Sequence, residues 1–314
     1  MKIMITGGAG FVGSHLCRKL LCDGNEVVCV DNLSSGKMKN IIDMKSNNRF
    51  SLIEGDITDK ALFADIKSVE QIYNLACPAS PIFYQKDSIQ TLRTCFYGME
   101  NVLEYARGVN AKVLQASTSE VYGDPLVKIQ DETYFGNVNP NGVRACYDEG
   151  KRVAETLCCE YRKIYAMEVK IIRIFNTYGP YMRKDDGRVI SNFINAALNN
   201  KDLIIYGDGM QTRSLCYITD LIEAIIKVMK SSINGPINIG NPFEVTINDL
   251  AKIILSKTLS KSKIQYTSAL LDDPKVRKPN ITKMNTELGW APKVELSEGL
   301  DKTIAYYKKE FQNT

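Results

Sequence analysis

The first half of the chain alternates short apolar runs with amphipathic stretches. Apolar runs that predict strands lie at residues 2–5, 26–30, 50–54, 71–76, 112–116 and 169–175. A helix is predicted over residues 14–22, and helix-like sequence separates the later runs. Because strands that alternate with helices are joined by right-handed crossovers, the pattern predicts a parallel, doubly wound α/β sheet.

The pattern becomes mixed after about residue 176. Short strands are predicted at 203–206, 215–218 and 237–239, and helices at 191–199, 220–230, 247–257 and 296–311. A polar segment at 258–263 connects the last two helical regions. We therefore predict two domains: a large α/β domain over residues 1–175, to which residues 214–241 return, and a smaller mixed α/β domain over most of residues 176–314.

A glycine-rich loop, GGAGFVG at residues 7–13, follows the first predicted strand and opens the first helix. Gly7 permits a tight turn, Gly10 lets the backbone approach a pyrophosphate, and Gly13 allows close packing of helix on strand. The N–H groups and partial positive charge of the helix N-terminus suit phosphates. In this context the loop predicts a Rossmann-type dinucleotide site, against the alternative of an ordinary strand-to-helix turn.

Acidic residues after the next two strands refine the cofactor prediction. Asp31 ends the second strand, where it can accept hydrogen bonds from ribose hydroxyls and would repel a 2′-phosphate. This favours NAD over NADP. Asp56 follows the third strand, where an adenine contact is expected. The other predicted cofactor contacts are Phe11, Val12, Asn32, Ile57, Leu75, Ala76, Thr94, Tyr147 and Lys151.

A tyrosine and a lysine stand four residues apart in a predicted helix. Tyr147 and Lys151 would lie one above the other on one helix face. The ammonium of Lys151 is expected to lower the pKa of Tyr147 from about 10 toward neutrality, which would make the phenolate a base. A hydroxyl-rich segment, STSEVYG at 117–123, follows an apolar strand, and the ends of parallel strands are where such folds place chemistry. The alternative is an ordinary surface pair.

Composition excludes several other classes of function. The 314 residues include 40 basic and 36 acidic side chains, a balance too even for a nucleic-acid partner. The nine cysteines form no CxxC pair, so we expect reduced thiols in a cytoplasmic protein and no metal site. No apolar run approaches the length of a membrane span. Only His15 is a histidine, so proton chemistry must fall to Tyr, Lys, Glu, Ser or Thr.

These motifs together resemble the extended short-chain dehydrogenase/reductase family. The strings that carry this resemblance are GGAGFVGSH, STSEVYG and YDEGK. Longer strings are similar to the UDP-glucuronate decarboxylases of that family, and the similarity runs from residue 2 to about 307. These strings include ACPASP at 76–81, GNVNPNGVRACYDEGKRVAET at 136–156, YGDGMQTRSLCYITDL at 206–221 and DDPKVRKPNI at 272–281.

The resemblance implies oxidation at sugar C4, loss of the C6 carboxylate and return of the hydride, which gives UDP-xylose. It implies that Tyr147 is the base, that Lys151 and Thr118 assist it, and that Ser119 and Glu120 flank the C5–C6 region. Arg277 is expected to hold the substrate near the reacting centre, since arginine suits carboxylates and phosphates. The other expected contacts of the UDP-sugar are Tyr84, Asn176, Arg188, Gln211, Arg213 and Tyr217.

Two departures and three alternatives accompany this interpretation. Phe83 stands where relatives commonly have histidine, and Phe135 where they have tryptophan. A nucleotide-sugar 4,6-dehydratase or a uronate 4-epimerase could use the same scaffold, although dehydratases usually carry an aspartate at the position of Ser119. A non-catalytic NAD sensor would need only the glycine loop. A homodimer is expected, with the helices near 92–106 and 150–165 as its contacts.

Overall fold

The computed structural model describes residues 1–268 and 276–312, so the start of the DDPKVRKPNI string lies outside the described residues. Its strands are β1 (Lys2–Thr6), β2 (Glu26–Asp31), β3 (Phe50–Glu54), β4 (Gln71–Asn74), β5 (Lys112–Thr118), β6 (Val169–Ile174), β7 (Thr177–Tyr178), β8 (Leu203–Tyr206), β9 (Thr212–Ser214), β10 (Cys216–Tyr217), β11 (Ile237–Ile239), β12 (Glu244–Thr246) and β13 (Ile264–Thr267). Its α-helices are α1 (Phe11–Cys22), α2 (Pro81–Lys86), α3 (Ser88–Arg93), α4 (Met99–Val109), α5 (Ala145–Tyr165), α6 (Val189–Leu198), α7 (Ile218–Lys230), α8 (Ile247–Thr258), α9 (Thr282–Leu288) and α10 (Leu296–Gln312).

Seven strands form the main sheet, in the order β11-β6-β5-β4-β1-β2-β3. The pairs β1–β2, β2–β3, β1–β4 and β4–β5 are all parallel. The strand order reverses between β1 and β4, which is the switch point where doubly wound sheets bind ligands at their carboxyl ends. The predicted doubly wound α/β fold is therefore confirmed.

The apolar runs of the sequence become the core beside this sheet. Strand residues such as Met4, Val30 and Ile72 are fully buried. Met99, Val102, Leu103 and Ala106 of α4 pack in the same core cluster. Their spacing of three and four residues places them on one face of the helix. Each buried aliphatic side chain of this kind contributes about 1.5–3 kcal/mol, so the sheet and α4 form a stable base for the loops at the strand ends.

The chain divides into two compact units. The first comprises Met1–Val121, Val143–Arg173 and Ile222–Ile237, and the second comprises Tyr122–Gly142, Ile174–Leu221 and Asn238–Thr314. The predicted division at residue 175, with 214–241 returning, differs from these bounds in two places. The segment Tyr122–Gly142, which begins inside STSEVYG, joins the second unit, and only Ile222–Ile237 returns to the first. This unit boundary falls inside one continuous motif, so no change in the hydrophobic period of the sequence indicates it.

The second unit has short paired strands around aromatic side chains. Strand β10 pairs with β7, β12 with β9 and β13 with β8. Trp290, the single tryptophan of the chain, is 1% exposed, and its indole N–H donates to the carbonyl oxygen of Asp220 at 3.2 Å. The Asp220 carboxylate in turn accepts backbone N–H bonds from Lys293 and Val294 at 3.0 and 2.9 Å. These bonds fasten the segment before α10 to the start of α7.

Across residues 1–268 and 276–312, none of the helices combines the length and the apolar character that a bilayer crossing requires.

Candidate active site

The glycine loop has the close approaches that the sequence predicts. Gly7 has a φ of +71°, and a Cβ there would lie 2.9 Å from the backbone of Ala76. A Cβ on Gly13 would lie 2.1 Å from the carbonyl oxygen of Gly7, so only glycine lets α1 start this close to the loop. Gly10 precedes the first residue of α1 and makes no side-chain cap there. The first turn thus offers backbone N–H donors that suit a pyrophosphate.

Asp31, the last residue of β2, is hydrogen-bonded to this loop. Its carboxylate accepts N–H bonds from Ala9 at 2.9 Å and Leu33 at 2.8 Å, and the residue is 6% exposed. Burial raises the pKa of Asp31, and the two backbone hydrogen bonds only partly oppose that rise. A carboxylate has about four acceptor positions, so Asp31 can also accept from two ribose hydroxyls. Its geometry fits the predicted contact with NAD.

A hydrogen-bond network surrounds Asp56. Asn32 donates to one carboxylate oxygen at 2.8 Å, and the N–H and hydroxyl of Thr58 donate to the other at 2.9 and 2.8 Å. Gln90 adds a bond at 3.2 Å. Burial raises the pKa of Asp56, but these hydrogen bonds outweigh it and leave the pKa below its ordinary value. The network holds two predicted cofactor contacts, Asn32 and Asp56, in one rigid cluster.

The remaining predicted cofactor contacts lie in the first turn of α1, after β3 and β4, and at the start of the turn after α3. Thr94 begins a π-helical turn, Thr94–Gly98, that joins α3 to α4, and such turns are frequent at functional sites. Its hydroxyl donates to the carbonyl oxygen of Gln90 at 2.8 Å. The others are Phe11 and Val12 in the first turn of α1, the buried Ile57, and Leu75 and Ala76 directly after β4. Their contact with a cofactor stays a prediction.

Three of the predicted catalytic side chains meet at the end of β5. Tyr147 and Lys151 occupy one face of α5, and each is 5% exposed. The Lys151 ammonium donates to the carbonyl oxygen of Ala116 at 2.9 Å and lies 5.8 Å from the centroid of the Tyr147 ring. Thr118, the last residue of β5, is hydrogen-bonded to Tyr147 through its side chain. The i, i+4 spacing therefore yields a buried cluster and not a surface pair.

The prediction that the pKa of Tyr147 is lowered toward neutrality is wrong. Burial raises the pKa of Tyr147 well above its ordinary value, the charge of a Cys77 thiolate adds to the rise, and the hydrogen bond of Thr118 lowers it only in part. The reason is that removing a phenolate from water costs more than an ammonium at this distance returns. Tyr147 is therefore a neutral phenol that needs additional positive charge to act as a base.

The sequence interpretation missed Arg144. This arginine precedes α5, and its guanidinium forms an ion pair with the carboxylate of Glu120 and lies 3.9 Å from that of Asp148. The side chains of Arg144 and Glu120 are only 14% and 8% exposed. Burial lowers the pKa of Arg144, but the nearby negative charges outweigh it and raise the pKa above its ordinary value. The one sequence signal was its place three residues before Tyr147, inside the string at 136–156.

Tyr84 lies face to face with Tyr147. The two rings are 4.9 Å apart between centroids and inclined by 7°, and Arg144 lies 5.9 Å from the Tyr84 centroid. Tyr84 is 1% exposed, and no residue within 1–268 or 276–312 gives its hydroxyl a hydrogen-bond partner. A buried hydroxyl in that condition costs free energy unless another group bonds to it. Its position therefore fits the predicted contact with a polar substrate.

A partly buried carboxylate, Glu155, joins α5 to the sheet. Glu155 accepts two bonds from the guanidinium of Arg173 on β6, at 3.0 and 2.8 Å, and one from the hydroxyl of Ser117 on β5, at 2.5 Å. Glu155 lies one turn beyond Lys151 on the same helix. The brace sets the rotation of α5 about its axis, which determines where Tyr147 points.

The substrate residues predicted in the second unit occupy short strands and loops. Arg213 on β9 lies opposite Val245 of β12 and donates to the carbonyl oxygen of Thr212 at 2.9 Å. Tyr217 on β10 packs edge-on against Tyr178, with centroids 5.5 Å apart. Each side chain is held by the fold of its own unit.

The other predicted substrate residues flank helices and short strands of the same unit. Arg188, just before α6, forms an ion pair with Asp186, and the side-chain amide of Gln211 donates to the carbonyl oxygen of Tyr206 at 2.7 Å. Asn176 accepts the Cys216 N–H at 2.9 Å through its backbone. Arg277 is partly exposed. Their contact with a UDP-sugar stays a prediction.

The comparisons with known proteins agree with this geometry. A family model described as GDP-mannose 4,6 dehydratase matches residues 4–303. The chain therefore belongs to this family, which is part of the extended short-chain dehydrogenase/reductases, and the resemblance inferred from its motifs is confirmed.

Individual relatives show which members of the family are similar to this chain. The chain is 50% identical over 301 residues to UDP-glucuronic acid decarboxylase 6 of Arabidopsis thaliana, covering 96% of this chain and 87% of that protein. It is 49% identical over 312 residues to UDP-glucuronic acid decarboxylase 1 of Danio rerio, covering 99% and 74%. A solved UDP-glucuronic acid 4-epimerase of Bacillus cereus, in complex with UDP-glucuronic acid and NAD, superposes with a TM-score of 0.88 at 30% identity, covering 99% and 100%.

Proposed function

We propose that this protein decarboxylates UDP-glucuronate to UDP-xylose with bound NAD. The observation that carries the proposal is the segment after β5. Thr118 contacts the Tyr147–Lys151 pair, Ser119 stands where a dehydratase needs an acid, and Glu120 is held in a buried ion pair by Arg144. The two decarboxylases of similar sequence support the same reaction.

The cofactor site fits NAD on the geometry of the first unit. Gly7, Gly10 and Gly13 would admit the pyrophosphate to the start of α1, and Asp31 would hold the adenosine ribose. When bound, NAD accepts a hydride, places a positive charge beside the reacting sugar and later returns the hydride. The B. cereus epimerase, which was solved with NAD, supports this assignment.

Tyr147 carries the proton chemistry at C4. The positive charges of Lys151 and of bound NAD would favour loss of the phenol proton. As the phenolate, Tyr147 takes the proton of the sugar C4 hydroxyl while the C4–H bond breaks, and it becomes a phenol hydrogen-bonded to Thr118. Lys151 is anchored to the Ala116 carbonyl, which keeps its ammonium in place to stabilise negative charge on the phenolate. The same phenol returns the proton to the C4 oxygen at the end, so no net proton is lost there.

Carbon dioxide then leaves from C6. Once C4 is a ketone, the C6 carboxylate is β to it, so the C5–C6 bond breaks and its electron pair enters an enolate over C5, C4 and the C4 oxygen. A proton from solvent or a neighbouring side chain restores C5. Glu120 flanks this region as a carboxylate paired with Arg144, which makes it an acceptor and not a strong acid. This step needs no acid at C6, whereas loss of water would need one.

Several polar side chains are proposed to recognise the substrate. The buried Tyr84 hydroxyl would bond to the sugar, while Asn176, Arg188, Gln211, Arg213 and Tyr217 would hold the UDP part. Arg277 would bind the anion nearest the reacting carbon, because its rigid fork of donors matches carboxylates and phosphates. Phe83, next to Tyr84 on α2, replaces a polar side chain near the same sugar.

We extend the proposal to assembly and compartment. Exposed apolar residues recur along α3 and the turn after it at helical spacing, which supports a homodimer through the helices near 92–106 and 150–165. They are Ile89, Leu92, Phe96 and Tyr97. All nine cysteines fall in described residues and are free thiols, which supports a reducing, cytoplasmic location. Sedimentation of the purified chain at two or more concentrations would detect the dimer.

The test of function is product analysis by mass spectrometry. UDP-glucuronate should yield carbon dioxide and UDP-xylose with no net change in NAD, and a released 4-keto-pentose would show that re-reduction is incomplete. UDP-galacturonate from the same substrate, without carbon dioxide, would replace the proposal with a 4-epimerase. A 4-keto-6-deoxy product from UDP-glucose would replace it with a dehydratase. Absence of turnover with every UDP-sugar, despite NAD binding, would favour a sensor.

A further inference from the structure

Two cysteines lie in van der Waals contact beside the active site. The Sγ atoms of Cys77, three residues after β4, and Cys95, in the π-helical turn after α3, are 3.5 Å apart in hydrogen-bonding geometry. Cys77 is partly exposed, and Cys95 is 4% exposed. The proposed reaction uses neither thiol, and both belong to the first unit.

The surroundings make Cys77 the more reactive of the two. The hydrogen bond from Cys95 lowers its pKa, burial opposes that shift, and the positive charge of Lys151 adds to the lowering, which leaves the pKa of Cys77 at about 7. The hydrogen bond with Cys77 and burial raise the pKa of Cys95. Since the thiolate is the nucleophile, Cys77 reacts first with an electrophile and Cys95 stays protonated beside it.

We propose that Cys77 and Cys95 form a peroxide-responsive modification site, with Cys77 as the attacking thiol and Cys95 as the resolving one. The Cys77 thiolate attacks a hydroperoxide, which breaks the O–O bond and gives a sulfenic acid and water or an alcohol. The Cys95 thiol then attacks that sulfur, water leaves, and a disulfide remains. The two thiols together lose two electrons and two protons, and the peroxide accepts them.

The disulfide would act on the cofactor loop and on α5. The sulfurs must approach from 3.5 Å to the roughly 2.0 Å of a disulfide bond, so the backbone on one or both sides must move. The backbone of Ala76, next to Cys77, lies against Gly7 of the glycine loop. A Cβ on Gly150, next to Lys151, would lie 3.0 Å from the Cys95 sulfur. Moving either segment disturbs a group that NAD binding or proton transfer needs, so we expect oxidation to lower turnover at least fivefold.

The primary test detects the cross-link and does not depend on the proposed reaction. The folded chain is treated with hydrogen peroxide, blocked with iodoacetamide, digested with trypsin and analysed without reductant. Cleavage after Lys67, Lys86, Arg93 and Arg107 places Cys77 and Cys95 in separate peptides, each with one cysteine. The expected product is these two peptides joined, lighter by two hydrogen atoms. A link from Cys77 to the neighbouring Cys146, or stable sulfinic acid at Cys77, would overturn the pairing.

The activity test uses matched variants, each compared with its own untreated sample. Turnover of the unmodified chain should fall with peroxide and return with dithiothreitol. Cys95→Ser should lose this reversibility, since its sulfenic acid has no resolving thiol and oxidises further. Cys22→Ser, at an exposed site on α1, should respond like the unmodified chain. Equal, reversible inactivation of Cys77→Ser would overturn the proposal, whereas a chain without UDP-glucuronate turnover would leave the cross-link result intact and refute only the function.

Discussion

Two parts of the predicted site hold their polar side chains in different ways: the cluster of Glu120, Tyr147 and Lys151 in the first unit, and Arg188 in the second. In the first unit, Glu120, Tyr147 and Lys151 are 7%, 5% and 5% exposed, and their partners come from other elements of the fold. In the second unit, Arg188 keeps 30% of its side chain exposed and forms an ion pair with Asp186, two residues away. Partners brought together by the fold fix geometry more tightly than neighbours along the chain. We infer that the first unit performs the chemistry and the second mainly recognises the substrate.

The division of substitution effects between kcat and KM tests this difference between the two units. Removing a group that acts only in the transition state lowers kcat, whereas removing uniform binding raises KM. Substitutions in the first-unit cluster should therefore act on kcat, and those in the second unit on KM.

The largest effect is expected for Tyr147→Phe. Loss of the only proton acceptor at C4 should lower kcat by at least about 100-fold, as for loss of a general base, with NAD binding retained. Turnover of UDP-glucuronate and NAD titration would measure the two quantities. Tyr165→Phe, at an exposed position on the same helix, is the control and should be unchanged. More than about a tenth of normal turnover in Tyr147→Phe would remove Tyr147 from its role.

Next in size is Arg144→Met. Breaking a buried ion pair leaves the Glu120 carboxylate without its cation and should reduce the free energy of unfolding by about 3 kcal/mol. The value of kcat should fall by about 30-fold if the pair also sets the position of Glu120 (about 2 kcal/mol). Arg144→Lys keeps the charge and should recover part of kcat, and Lys163→Met, exposed on the same helix, is the control. A stability loss with normal kcat would show a purely structural role.

In the second unit, Arg277→Ala should lower kcat/KM about tenfold, which corresponds to about 1.4 kcal/mol. The change should fall mainly on KM if the unit serves recognition. Steady-state kinetics with UDP-glucuronate would separate the two constants, with Lys261→Ala as the exposed control in the same unit. A drop confined to kcat would contradict the division between the units.

A smaller effect is expected for Asp31. Asp31→Asn should weaken NAD binding by several-fold and reduce the preference for NAD over NADP, because a carboxylate that repels a 2′-phosphate is gone. Burial raises the pKa of Asp31, so protonation on acidification begins above the ordinary range of an aspartate, and NAD affinity should fall there first. Fluorescence titration against pH would measure this. Equal affinity of the unmodified chain for both cofactors would exclude the assignment.

The smallest effect concerns Asp56. Its pKa in the folded chain lies below the ordinary value, so its stabilising contribution is present above about pH 4 and is lost as pH falls through the folded pKa. The group is partly exposed and therefore screened, so the contribution should stay below about 1 kcal/mol. Denaturant unfolding of Asp56→Asn and the unmodified chain should converge at low pH. A gap that widens on acidification would contradict the sign.

Sequence periodicity predicted the sheet better than the second unit. The strands β1 to β6 fall within a few residues of the predicted runs because each is long enough to display a buried stretch. The strands β7, β9 and β12, of two or three residues each, display no period and were missed, whereas the three-residue β11 was predicted from its apolar run. Their formation depends on partners far along the chain, as for β9 and β12, whose paired residues are about 30 positions apart.

The same contrast holds within the site. The loop of Gly7 and the pair Tyr147–Lys151 were predictable because their spacing alone fixes their geometry. The ion pair of Arg144 with Glu120 was not, since its members are separated by 24 positions and only the fold brings them together. The direction of the Tyr147 pKa was also missed, because burial is a property of the fold and not of the i, i+4 spacing.

The single tryptophan makes the second unit optically distinct. Trp290 is buried in that unit, and the first unit contains tyrosine and phenylalanine as its only aromatic side chains besides His15. Excitation at the red edge of protein absorption therefore reports the environment of one indole in one unit, while the absorbance of a reduced nicotinamide would report the other. A chemical denaturation followed with both signals would reveal whether the units unfold together, without any label.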